Sequence, residues 1–117
     1  MSQNMNSANV DRYPFSAKGT SGGELKFRHT AGGQLHINIQ IDNTSESTTG
    51  NDITASIYQG ASATNHAIIS GSSKTIKPGG FQTWAGFVDE YFDVVASGNE
   101  PGVIQIKHES GVDIIKI

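Results

Sequence analysis

Gln34-Leu35-His36-Ile37-Asn38-Ile39-Gln40-Ile41-Asp42 alternates polar and aliphatic side chains without a break. A period of two places Leu35, Ile37, Ile39 and Ile41 on one face of an extended strand and His36, Asn38, Gln40 and Asp42 on the other. Four aliphatics in phase need a core and the polar set needs water, so the stretch predicts a half-solvated antiparallel strand. The same alternation runs through residues 24–30, with Leu25 and Phe27 in phase, and residues 52–59, with Ile53, Ala55 and Ile57 in phase. Ala31-Gly32-Gly33, between the first two of these segments, reads as a short hairpin connection.

Downstream, residues 66–70, 74–77, 81–88, 91–97, 103–108 and 112–117 follow as further strands. Ser70-Gly71-Ser72-Ser73, residues 97–102 and Glu109-Ser110-Gly111 punctuate them. Lys77-Pro78-Gly79-Gly80 is a strong turn, because proline presets φ and glycine accepts a positive φ. Residues 43–51 form the longest apolar-free stretch of the body and read as an exposed connection. Short strands at regular intervals, with no segment of helical period, predict an all-β sandwich of about eight strands. A jelly roll is the expected topology, and an immunoglobulin-like sandwich is the alternative.

The 117 residues are close to the modal size of one domain. Charged residues make up 16% of the chain, below the usual quarter or so, while turn-forming Gly, Ser, Thr and Asn are abundant. A net charge of −3 lacks the electrostatic footprint of a nucleic-acid binder, so no nucleic-acid partner is expected. No apolar run approaches the roughly 20 residues of a membrane-spanning helix, so no membrane partner is expected either. The absence of cysteine excludes disulfides and thiolate metal sites.

Residues 1–22 differ from the body, residues 23–117, in being polar with few apolar groups. They lack the basic start and apolar run of a secretory signal and read as a flexible connector arm. Within the arm, Val10, Tyr13 and Phe15 surround Pro14, which cannot donate to a ladder and therefore suits a strand edge. The glycines Gly19, Gly22 and Gly23 then read as a hinge. An apolar anchor on a glycine-rich hinge is what β-augmentation of a neighbouring sheet requires. An arm folding back on its own body, or one left disordered, is the competing reading.

Signals for chemistry are sparse. His29, His36, His66 and His108 lie on different predicted strands or strand ends, without metal-ligand spacing. Asp89, Glu90 and Asp93 form a carboxylate cluster without a calcium-loop pattern, which a solvated turn explains. Serine is plentiful, yet no nucleophile elbow or phosphate-binding glycine motif occurs. Neither enzymatic activity nor a cofactor is expected. Trp84, Tyr58 and Tyr91 could stack on a sugar, or Trp84 could be a plain core residue. Trp84 is out of phase with Phe81, Ala85 and Phe87, so both faces of that strand carry apolar side chains. Asn43-Thr44-Ser45 matches a glycosylation sequon.

From Asp52 onward the order of features resembles the subunits of bacterial endospore appendages, the Ena fibre proteins. The matching pieces are Ile57-Tyr58-Gln59-Gly60, then Pro78-Gly79-Gly80-Phe81 with Trp84 and Phe87. Phe92-Asp93-Val94-Val95-Ala96-Ser97-Gly98 and Gly102-Val103-Ile104-Gln105-Ile106 complete them. The resemblance covers about half the chain. It implies a jelly-roll body with a flexible N-terminal connector, a bacterial cell or spore surface, and copies of itself as the main partner. A spore-surface anchor protein or a glycan would be a further partner. The better-known appendage subunits cross-link through cysteines, which this chain lacks, so the connector is expected to hold by pairing and apolar anchoring. The expectation is therefore a self-assembling fibre subunit. A carbohydrate-binding sandwich and a virion or phage structural jelly roll are the alternatives.

Overall fold

A computed structural model describes residues 9–17, 23–46, 49–62 and 66–117. Among the described residues there are ten strands and no helix: β1 (Asn9–Ala17), β2 (Gly23–His29), β3 (Leu35–Asn43), β4 (Ile53–Gly60), β5 (His66–Ile68), β6 (Lys74–Ile76), β7 (Phe81–Val88), β8 (Tyr91–Ser97), β9 (Glu100–His108) and β10 (Ile114–Lys116). They build two facing sheets. One has the order β1-β9-β3-β7; the other runs β10-β2-β8-β4-β5, with β6 also paired to β4.

The pairings are nested. β1 lies on β9, β2 on β8, β3 on β7, and β4 on β5 and β6, all antiparallel. That is one long hairpin, folded near its middle and rolled so that successive pairs fall alternately in the two sheets. The chain is a jelly roll.

Alternation explains the core. The inward set of β3, Leu35, Ile37, Ile39 and Ile41, is buried and faces Ile53, Ala55 and Ile57 of β4 and Phe92, Val94 and Ala96 of β8 across the interior. Ile104 and Ile106 of β9 complete the inner face beside β3. Burying each such aliphatic stabilises the fold by about 1.5–3 kcal/mol. Phe27 and Phe92 stack at 5.2 Å between ring centroids in the middle of the second sheet.

Two expectations need correction. Ala31-Gly32-Gly33 is not a hairpin, because β2 and β3 lie in different sheets. The segment instead carries the chain from one sheet to the other along the exposed end of the sandwich, with Gly32 at a φ of 81°. Alternation detects strands but carries no information on which strand pairs with which. The boundary between arm and body also shifts: residues 9–17 are not a free connector but the edge strand of the first sheet, registered against β9 along their whole length. Residues 1–8 and 18–22 of the expected arm lie outside the described residues.

The proline-glycine turn forms as expected. Gly80 N donates to the Lys77 carbonyl at 2.9 Å, and Gly79 has a φ of 75°. Asn43, assigned from sequence to an exposed loop, is instead the buried end of β3. Its side-chain amide donates to the carbonyls of Asn51 (2.9 Å) and Ile76 (3.0 Å), and its Oδ1 accepts from Ser45 N. The sequon asparagine is therefore a structural pin.

Candidate functional site

The arm residues converge on one place, the seat that β9 offers to β1. Thr44 N donates to the Pro101 carbonyl, so odd-numbered residues of β9 turn their main chain toward β3 and even-numbered ones toward β1. Pro14 sits opposite Val103. Its nitrogen therefore faces the open side of the sheet, where a missing N–H costs no ladder bond. This parity is why a strand containing proline fits here.

Side chains of β1 follow the same parity. Tyr13, Phe15 and Ala17 point inward and join the core, Ala17 fully buried. Phe15 lies across from Gly102, and its ring occupies the space a side chain there would fill. A Cβ on Gly102 would meet the Phe15 Cζ at 2.5 Å and the Asp42 carbonyl at 2.7 Å. Gly23 provides a second notch, since a Cβ there would meet the Ser16 carbonyl oxygen at 2.5 Å. Tyr13 rests against Phe27 at 4.9 Å between ring centroids, tilted by 59°.

The far end of the seat is polar. His108 is buried, with Nε2 3.2 Å from Asp11 Oδ2 and Nδ1 3.0 Å from the Glu109 carbonyl. Asp11 also bonds the Tyr13 hydroxyl. Burial, with the charge of Asp11 and that hydrogen bond adding to it, raises the Tyr13 pKa to about 12.

Of the three expected anchors, Tyr13 and Phe15 thus enter a core, that of their own chain. Val10 does not: it is out of phase with them, lies on the outer face opposite Lys107, and is 48% exposed. Of the expected hinge glycines, Gly19 and Gly22 fall outside the described residues, and Gly23 begins β2. Gly102 belongs to the seat and had no site reading in the sequence, while Gly23, Phe27 and His108 were read there as hinge, strand and strand-end positions; each meets β1 only through a contact distant along the chain.

The expected aromatic platform is not assembled. Trp84 sits on β7 beside Ile39 with its ring folded over Gly86, half-buried against the core. Tyr58 and Tyr91 lie on strands of the other sheet, in its outward phase. Instead, β7 presents Phe81 and Phe87 outward, 61% and 59% exposed. The Phe87 ring takes an edge contact from His36 at 5.1 Å.

The histidines serve separate local roles. His29 is buried, with Nε2 3.4 Å from the Val88 carbonyl and Nδ1 accepting from Ala31 N. Among the described residues no three histidine or carboxylate side chains converge on a common point.

No family model matches the chain, and no curated protein matches it. Among solved structures it is similar to a chain of the cowpea mosaic virus top component, a naturally occurring empty particle, at 8% identity and a TM-score of 0.38. That match covers 95% of this chain and 82% of the other. It is also similar to a chain of an empty virus-like particle of cowpea mosaic virus, at 8% identity and a TM-score of 0.37, covering 95% and 79%.

Proposed function

We propose that this chain is a structural subunit of a self-assembling, non-covalent fibre on a bacterial cell or spore surface. Neighbours are joined when the strand Asn9–Ala17 of one copy occupies the β9 seat of the next. One observation carries the reading: the seat is made by the body and shaped to that strand. Gly102 leaves room for Phe15, Phe27 meets Tyr13, and a nine-residue register aligns the main chain. None of those contacts depends on which copy supplies the strand. When each copy gives its strand to the next, the contact is head-to-tail, and it propagates as a filament where the rotation between neighbours does not close a ring. The resemblance to endospore appendage subunits points the same way, and the absence of cysteine makes the link reversible.

The test uses the fact that introduced thiols would be the only ones. Arg12 lies opposite Gln105, at a position where the two residues do not exchange backbone bonds and their Cα atoms are about 4.5 Å apart. An R12C/Q105C variant of the full chain, oxidised and run on a denaturing gel, should give a ladder of linked multimers. Negative-stain images of the wild type should show filaments. A single monomeric band carrying an internal disulfide would overturn strand exchange. Closed particles instead of filaments would turn the reading to the virion-type jelly roll.

A further inference from the structure

The open edge of β7 points to a second contact, separate from strand exchange. Asn43 N donates to the Gly80 carbonyl. In that register Gln82, Trp84, Gly86 and Val88 turn their main chain toward β3. The N–H and C=O groups of Phe81, Thr83, Ala85 and Phe87 therefore face away from the sheet. Among the described strands β7 pairs only with β3, so these groups form an open edge.

Most sheet edges are blunted by charge, proline or shortness. The other edges here follow that rule. β1 carries Pro14 with its nitrogen on the open side and Arg12 beside it, while β5, β6 and β10 have three residues each. β7 has eight residues, Phe81-Gln82-Thr83-Trp84-Ala85-Gly86-Phe87-Val88, with neither charge nor proline.

We infer that this edge pairs antiparallel with β7 of a second copy about a two-fold axis perpendicular to the sheet, with Phe81 opposite the partner's Phe87 and Thr83 opposite the partner's Ala85. The strand reads almost alike from both ends along its open edge: phenylalanine, a small residue, a small residue, phenylalanine. In that one register all four edge residues form pairs that exchange both N–H···O bonds. Each end then brings Phe81 against the partner's Phe87 on the outer face, covering the two large apolar groups that β7 leaves in water. At the centre, threonine and alanine are small enough for close approach. An uncharged strand also suits a copy of itself, because no like charges meet across the axis.

The register supplies the test. In the full-length T83K/A85K variant, each new lysine faces another across the axis, and association through this edge should weaken at least about tenfold. In T83K/A85E, every lysine faces a glutamate, and association should return to within about threefold of wild type. Analytical ultracentrifugation reads both. Oxidised T83C/A85C should run on a denaturing gel as a dimer without higher rungs, since the two-fold contact closes on itself. A chain that fails to exchange β1 would still give this dimer, and a polymer held only by β1 would give none. Equal association of the two charge variants, or a ladder in place of a dimer, would overturn the inference. So would loss of binding to soluble cellohexaose on F81A/F87A with association unchanged, which would make the two rings a glycan platform.

Discussion

Gly102 shows how a single residue can define a docking seat. The ring of Phe15 lies where a side chain on Gly102 would be, and a Cβ there would fall within 2.7 Å of both that ring and the Asp42 carbonyl. Gly102→Ala should destabilise the fold by about 1–3 kcal/mol through overpacking, visible as a lower urea midpoint with an unchanged slope. Tyr13 supplies a pH readout of the same seat. Its folded pKa of about 12 lies above the ordinary tyrosine value of 10.0. The native state therefore holds the phenolic proton more tightly than the unfolded chain. The stabilisation is complete below pH 10 and is lost as pH rises through about 12. Urea midpoints should fall over that window in wild type, and Tyr13→Phe should flatten the fall.

At the scale of elements, β1 and β7 are the two edges of one sheet, and they differ in chemistry. β1 is held by side chains that reach inward, with a proline turned to the open side. β7 keeps its open side unguarded. The β1 seat can be tested with the strand as a separate molecule. A chain lacking residues 1–17 leaves Phe27 and Gly102 uncovered and should unfold at lower urea. A synthetic peptide of residues 9–17 should raise its midpoint progressively with concentration, as mass action requires. A scrambled peptide of the same composition should leave the midpoint where it was. The sequence marked Val10, Tyr13 and Phe15 as anchors of an arm, whereas the inward phase of β1 is Tyr13, Phe15 and Ala17. Three inward residues suffice at an edge because only one side of the strand needs a partner.

For the whole molecule, the nested pairing sets what assembly is available. The first described strand lies on β9, at the other end of the rolled hairpin, so the N-terminal segment closes the sheet last in topological order. An element of that kind can be supplied from another copy without altering the remaining pairs. The opposite edge of the same sheet, β7, is distant from that exchange, so the two contacts can form independently. Under the two proposals one contact would propagate and the other would close, and together they would join filaments in pairs.

Much of this architecture was legible in advance. The period of two in residues 34–42 and its echoes establish an all-β chain and predict which side chains are buried, because alternation is a local property of an extended backbone. Pro78-Gly79 likewise specifies its turn through the φ values those residues favour. Tertiary structure alone decided the partners. It placed β2 and β3 in different sheets where the glycines between them read as a hairpin. It set Phe15 over Gly102, turned Val10 away from the core and separated Trp84 from the tyrosines. Each of these outcomes depends on long-range register, and a one-residue shift in register exchanges the two faces of a strand without leaving any mark on the local pattern.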